Sequence, residues 1–186
     1  HAACVFPVGS LTHLVPAYWR SHAACARTTS VKLVLITTAV SGWLDFHFDL
    51  HGAFLTADID TDVYCHQPSG IDPEVGPNGE EMCWKLDKAI YGTVQAARLF
   101  SQKLRASLTR MGFTASVDDE NVYRLDHQLG RIILCTHIDD GIGGASNQAV
   151  LDYMYEQLKV DGFSFSTQPG GWSTVLGFGV ERNLAR

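Results

Sequence analysis

The stretch Arg131-Ile132-Ile133-Leu134-Cys135-Thr136-His137-Ile138-Asp139-Asp140-Gly141-Ile142-Gly143-Gly144 decides how this chain folds. Its first half is apolar on both faces, the pattern of a strand buried in the middle of a sheet. That strand runs directly into two adjacent aspartates, so two carboxylates stand at the tip of a buried element. Ionised neighbours repel, and a protein tolerates them beside a core mainly where a cation or a shared proton neutralises them. From these residues alone, a solvated Asp-Asp-Gly turn and a cation site are equally good readings. Gly141 to Gly144 can continue as a partner strand.

A third carboxylate shifts the balance. Leu44, Phe46, Phe48 and Leu50 alternate with Asp45, His47 and Asp49, which makes a strand with one apolar and one polar face and puts Asp49 on the polar one. If this strand and the Asp139-Asp140 hairpin are neighbours, three carboxylates converge on rigid elements. Such a set suits Mg²⁺, which prefers carboxylates, water and substrate phosphate. Two such ions about 4 Å apart can hold the attacking and leaving oxygens of a phosphoryl transfer. Nucleotidyl transfer is the chemistry this pattern points to.

Working further outward, Thr29 to Val40 reads as a helix stopped by Ser41-Gly42. Val63 to Gln67 and Met82 to Ile90 read as two strands around a Pro/Gly loop. Between Thr93 and Gly112 the apolar residues Ala97, Phe100, Leu104, Leu108 and Met111 recur at three and four, the spacing of a helix face. Asn121 to Leu125 pairs with Arg131 to Ile138 as a hairpin. Ser146 is the expected N-cap of a last helix with Val150, Leu151, Met154 and Leu158 inward, ended by Gly162. Short strands at Phe163 to Ser166 and Thr174 to Glu181 close the order. It predicts an α+β fold, a sheet backed by two helices.

The 186 residues include 20 acids against 14 bases, so a uniformly basic surface is excluded. Any contact with nucleic acid needs a local basic face. Lys85, Lys88, Arg98, Lys103, Arg105 and Arg110 fall in one stretch with the single acid Asp87, which predicts such a face or an ordinary solvated helix surface. The longest apolar run, Val31 to Val40, is interrupted by Lys32 and is shorter than the roughly 20 residues that cross a bilayer. No membrane partner is expected. Five cysteines without a Cys-x-x-Cys pair or a signal peptide read as thiols of a reducing compartment. His1-Ala-Ala-Cys4 and His22-Ala-Ala-Cys25 could ligate zinc, but two coincidental tetrapeptides in an Ala-rich segment explain them better, and no metal is expected there. A chain that opens with His1 reads as a piece of a longer polypeptide.

Several motifs together resemble one family. Thr29 through Gly42-Trp43, Phe48-Asp49-Leu50-His51-Gly52-Ala53-Phe54-Leu55, and Val63-Tyr64-Cys65-His66-Gln67-Pro68-Ser69-Gly70 are similar to segments of the reverse transcriptases of copia-type LTR retrotransposons. Lys85-Leu86-Asp87-Lys88-Ala89-Ile90-Tyr91-Gly92-Thr93-Val94-Gln95-Ala96-Ala97-Arg98 resembles that family's Lys-Leu-x-Lys-Ser-Leu-Tyr-Gly-Leu-Lys-Gln-Ala-Pro-Arg segment. Here Val94 replaces its Lys and Ala97 its Pro. His137-Ile138-Asp139-Asp140 resembles the family's Tyr-Val-Asp-Asp box with His for Tyr, and Val175-Leu176-Gly177-Phe178-Gly179-Val180 resembles its Phe-Leu-Gly-Ile segment. The motifs are collinear over residues 29 to 181.

The resemblance implies a polymerase palm with a ferredoxin-like or RRM-like sheet over residues 29 to 186. Part of a fingers region would lie at 60 to 92, and residues 1 to 28 form an atypical N-terminal segment. It implies that Asp49, Asp139 and Asp140 bind two Mg²⁺ ions, with Mn²⁺ a possible substitute, and that the Leu50 carbonyl approaches a metal. Phe54 falls at the aromatic position beneath the deoxyribose; plain core packing is the competing reading. Tyr91, Gly92 and Gln95 fall in the segment against the incoming nucleotide and template, His137 flanks the carboxylates, and Leu176 and Gly177 would hold the primer end. Beside two carboxylates, His137 is expected to titrate above the ordinary histidine value and to make activity pH-dependent.

The implied reaction is RNA-directed addition of dNTPs to a primer 3′-hydroxyl. Implied partners are an RNA or DNA template with its primer, dNTPs, and the fingers, thumb, RNase H and integrase regions of a polyprotein. The implied location is intracellular, in a cytoplasmic virus-like particle or the nucleus. The alternative is a decayed, non-catalytic relative that serves as a nucleic-acid-binding or structural module.

Overall fold

A computed structural model describes residues 3–5, 25–80, 82–93, 95–168, 174–175 and 178–180. The elements in chain order are β1 (Ala3–Val5), α1 (Thr28–Val40), β2 (Leu44–His51), a 3-10 turn (Ala53–Thr56), β3 (Tyr64–His66), β4 (Met82–Lys85) and α2 (Ala96–Arg110). They continue with β5 (Thr114–Ala115), β6 (Val122–His127), β7 (Gly130–His137), β8 (Asp140–Ala145), α3 (Gln148–Val160), β9 (Ser164–Thr167), β10 (Thr174–Val175) and β11 (Phe178–Gly179). This is the α+β class expected from the sequence. The elements divide into two compact units: one holds β1 and Phe54–Phe100, the other runs through α1 to Ala53 and onward from Ser101.

The first unit contains an antiparallel sheet ordered β1-β4-β3. The strand expected from Met82 to Ile90 leaves the regular ladder at Lys85. Beyond it, Leu86 N–H donates to Val63 O at 2.8 Å, Ile59 N–H to Asp87 O at 3.2 Å and Ala89 N–H to Ala57 O at 3.0 Å, an irregular pairing in place of a strand. Thr93 caps a turn through Ile90 O, with Gly92 at φ 98°, so α2 starts at Ala96 and not at Thr93.

The second unit is built on a six-stranded antiparallel sheet ordered β5-β6-β7-β8-β2-β9. β8 lies between β7 and β2, a central place that its composition, Asp-Gly-Ile-Gly-Gly-Ala, does not advertise. Its glycines leave room that neighbours fill. A Cβ on Gly141 would stand 2.0 Å from the Phe48 ring, one on Gly143 2.2 Å from the Ile133 carbonyl oxygen, and one on Gly144 2.2 Å from Thr38 Oγ1. Phe46 and Phe48 stack parallel at 6.3 Å, and Tyr155 of α3 meets both edge-on. This face of the sheet is therefore covered by α3.

α1 covers the opposite face, where Val31 and Val34 pack with Cys135 and Ile142. The sheet thus has a helix on each face. α1 turns Val31, Val34 and Thr38 inward and, being apolar all round, leaves Leu33, Ile36 and Val40 exposed. α2 is tied to the end of α3 by Asp161, which accepts from Ser107 Oγ and pairs with Arg110.

The three α-helices among the described residues end alike. Gly42, Gly112 and Gly162 take positive φ, and the N–H groups of Trp43, Phe113 and Phe163 reach back to the carbonyls of Thr38, Leu108 and Leu158 at 3.0 Å, the Schellman closure that only glycine enters without strain. At the start of α3 the cap is Asn147, whose Oδ1 accepts from Val150 N–H at 3.1 Å. Ser146 Oγ instead accepts from Arg131 N–H at 2.8 Å. The two-residue β5 and the 3-10 turn had no signal in the sequence; both are too short for periodicity to register.

The start of α1 has no capping side chain of its own. Asp119, brought in from the loop before β6, accepts from Arg27 N–H at 2.9 Å, Ser30 Oγ at 2.6 Å and Asn121 N–H at 3.1 Å while buried. Burial works to raise its pKa, but the hydrogen bonds from Ser30, Arg27 and Asn121 outweigh it and hold the carboxyl below the ordinary value. Because the folded value is depressed, the stabilisation is full above the unfolded pKa of about 3.9 and is lost as pH falls through the folded one. Asp119→Ala should lower stability by about 1–3 kcal/mol at pH 7, with the difference from the parent shrinking in acid, in urea titrations across pH. Gly143→Ala should cost about 1–3 kcal/mol in the same assay, since the Ile133 backbone cannot yield to the new methyl.

Candidate active site

β2 and β8 pair with Asp49 directly opposite Asp140, and His47 opposite Ile142. Residues facing each other in an antiparallel pair project from the same face. Asp49 and Asp140 therefore stand together on the face that α1 covers further along the sheet. His137, opposite Asp140 on β7, shares that face. Asp139 lies in the two-residue turn between β7 and β8, and Leu50 N–H donates to its carbonyl at 2.9 Å, tying the turn to β2. The adjacency that the sequence left conditional is thus realised.

Ile138, the first residue of that turn, has φ 57°. It is the only non-glycine residue with positive φ among the described residues, and its β-branch makes that region costly by about 1–2 kcal/mol. A strained tip on an otherwise regular hairpin coincides with the two aspartates.

Nearest to the carboxylates is a histidine the sequence reading passed over. His47 Nε2 is 2.8 Å from Asp140 Oδ1, with the histidine side chain 12% exposed. The bond to Asp140 raises the His47 pKa above its ordinary value, and burial opposes it. The histidine that holds a carboxylate is therefore His47, whereas His137 Nδ1 is buried without a hydrogen-bond partner. The polar alternation Asp45-His47-Asp49 was a usable signal, since it put His47 on the carboxylate face.

Asp49 on β2, Asp140 on β8 and Asp139 in the turn between β7 and β8 offer only oxygen donors, the chemistry that Mg²⁺ or Mn²⁺ takes. Asp49 and Asp140 fit such an ion by facing each other, and Asp140 keeps Oδ2 for it while Oδ1 is engaged by His47. Among the described residues, no three His, Cys, Asp or Glu side chains are placed together so as to hold a metal ion.

Leu50 is buried on β2 opposite Phe165. Phe54, Tyr91, Gly92 and Gln95 belong to the first unit. There the Phe54 ring lies 6.2 Å from Tyr91 and edge-on to Phe100 at 6.1 Å, and Gln95 Nε2 donates to Thr61 Oγ1 at 3.2 Å. Tyr91 is 90% exposed, and a Cβ at Gly92 would meet nothing within 4 Å. Val94, Leu176 and Gly177 lie outside the described residues, as do His1 and His22 of the histidine-cysteine repeats. Cys25, Cys65 and Cys135 are free thiols, and burial pushes that of Cys135 up to about 12.

The basic stretch is occupied by acids of the chain itself. In the first unit Lys85 pairs with Asp62 at 2.6 Å, Arg98 with Asp60 at 2.5 Å, and Lys88 with Asp58. In the second, Arg105 pairs with Glu120 at 2.8 Å, Arg110 with Asp161, and Lys103 sits 5.1 Å over the Phe163 ring. Exposed pairs of this kind add little stability, so a polyanion could exchange for their acids at small cost.

The reverse transcriptase (RNA-dependent DNA polymerase) family matches residues 14–183 of the chain. The chain belongs to this family, in the branch of copia-type retrotransposons. It is 32% identical over 142 residues to the Retrovirus-related Pol polyprotein from transposon RE1 of Arabidopsis thaliana, covering 76% of this chain and 10% of the relative. The corresponding polyprotein from transposon RE2 of the same plant is 28% identical over 142 residues, again 76% of this chain and 10% of the relative. The one from transposon TNT 1-94 of Nicotiana tabacum is 29% identical over 115 residues, 61% of this chain and 8% of the relative. The chain therefore spans about a tenth of the length of the Arabidopsis polyproteins. No helix among the described residues is long and apolar enough to cross a membrane.

Asp140→Asn should bring the His47 titration back down towards the ordinary histidine value near 6.5, read by NMR of the imidazole across pH. An unchanged titration would mean that the Asp140 bond is not what raises it.

Proposed function

We propose that Asp49, Asp139 and Asp140 are the metal-binding carboxylates of an RNA-directed DNA polymerase, and that this chain is the palm-centred part of a retrotransposon polyprotein. The observation that carries the reading is the register that sets Asp49 against Asp140 on one face and ties Asp139 to Leu50. Two Mg²⁺ ions bound there would lower the charge of the transferring phosphoryl group and hold the primer 3′-hydroxyl and the leaving pyrophosphate in line. The 3′-oxygen attacks the α-phosphorus of the dNTP, the bond to the β-phosphate oxygen breaks, and the hydroxyl proton leaves to solvent. No side-chain nucleophile is required, so the protein's contribution is position and charge.

The strands supply that position. β2 and β8 are interior strands of the sheet, each hydrogen-bonded on both sides, so their backbones cannot drift apart without breaking the sheet. The buried Phe46, Phe48 and Leu50 on the reverse face of β2 anchor Asp49 against displacement towards a doubly charged cation. In this reading Phe54 excludes a ribose 2′-hydroxyl, Tyr91, Gly92 and Gln95 face nucleotide and template, and Leu176 and Gly177 hold the primer end. Template phosphates compete with Asp58, Asp60, Asp62 and Glu120 for the paired bases, which predicts weak binding that falls steeply with salt.

Primer extension on an RNA template with Mg²⁺ or Mn²⁺ tests the proposal. Asp139→Asn should reduce the rate by about 10²-fold or more, and Phe54→Val should raise incorporation of rNTPs relative to dNTPs. Extension by the parent that Asp139→Asn leaves undiminished would remove the aspartates from the mechanism. A parent unable to extend any primer with either metal would favour the non-catalytic module.

A further inference from the structure

His47 is more buried than a histidine on a strand's polar side needs to be, and its surroundings restrict what it can do. It stands opposite Ile142, a residue of the core under α1, and two positions before Asp49 on the same face. Its Nε2 lies 2.8 Å from Asp140 Oδ1, and its Nδ1 is buried with no hydrogen-bond partner. A neutral imidazole carries one proton. A carboxylate can only accept, so the proton of this contact belongs on Nε2, where it points at Asp140.

The consequence for Asp140 is geometric. A carboxylate on a strand end is free to rotate, and Asp140 directly faces a second carboxylate, Asp49, whose charge pushes it away. A donor fixed to Oδ1 from inside the sheet blocks that rotation. It leaves Oδ2 as the one oxygen able to meet an incoming cation. This is how outer-shell hydrogen bonds orient ligating carboxylates elsewhere, where their removal weakens metal affinity by about 10–100-fold.

We propose that His47 is a positioning residue that presents Asp140 to the divalent cation through an Nε2–H···Oδ1 bond. The inference rests on the polymerase reading above, because it needs Asp49 and Asp140 to share a cation. It goes beyond that reading in assigning a role to a residue that reaches the cation only through Asp140.

The test is Mn²⁺ binding to the whole chain, followed by electron paramagnetic resonance of the free ion, for the parent and for Asp49→Asn, His47→Gln and His47→Leu. The parent should bind Mn²⁺ and Asp49→Asn should lose it. His47→Leu should bind about tenfold or more weakly. His47→Gln, whose amide N–H reaches to the same distance as Nε2, should stay near the parent, a rescue that mere packing would not give. Parent-like affinity in His47→Leu, with binding lost in Asp49→Asn, would overturn the role of His47 and leave the metal site standing. Absence of Mn²⁺ binding by the parent would overturn both. Should His47→Leu fail to fold, the parent's own His47 ring nitrogens decide the matter by ¹⁵N NMR. Nε2 should carry the proton and shift on adding Mg²⁺, whereas a proton on Nδ1, or no shift on a site that binds the ion, would refute the proposal.

Discussion

The register of β2 against β8 is the constraint on which the rest of this structure depends. A shift of one residue would turn Asp49 to the face occupied by Phe46, Phe48 and Tyr155, and would bring the phenylalanines to the carboxylates. The register is held from three sides. The glycines of β8 admit the Phe46 and Phe48 rings only where they now sit, Gly144 admits Thr38 of α1, and Leu50 N–H closes on the Asp139 carbonyl. Packing on one face thereby determines which charges meet on the other.

That arrangement concentrates electrostatic cost at the hairpin tip and distributes the means to bear it. Two aspartates face each other across the strands, a third lies in a turn whose first residue is a β-branched residue at positive φ, and a histidine donates to one of them from within the sheet. Each feature alone has an ordinary structural explanation. Together they describe a backbone and side-chain set held in place against local preference, and sites of chemistry recur in such settings.

The remaining charges of the chain show the opposite economy. The bases that the sequence clusters between Lys85 and Arg110 are met by acids at close range within each unit, or by an aromatic ring. A cationic stretch in one dimension is then a nearly neutral surface in three. Counting charges along a chain overstates the field they create whenever distant segments supply the counter-charges, as Asp58, Asp60 and Asp62 do for residues 23 to 38 positions away.

Sequence alone determined the elements whose physics is local. The alternation of Leu44 to Leu50, the inward stripes of α2 and α3, the Gly42, Gly112 and Gly162 stops and the all-apolar run into Asp139-Asp140 are each written in a few neighbouring residues, and each is present in the fold. Collinear motifs were enough to place the chain in its family. Other features rest on residues far apart in the chain. That β8 is a central strand, that α1 covers the carboxylate face while α3 covers the other, that Asp119 caps a helix 90-odd residues earlier, and that His47 rather than His137 holds Asp140 were decided only by tertiary structure. The physical reason is the same in each case: a glycine's empty side, an unmarked helix face or a lone polar side chain has no preference of its own until a distant partner arrives to fill, cover or bond it.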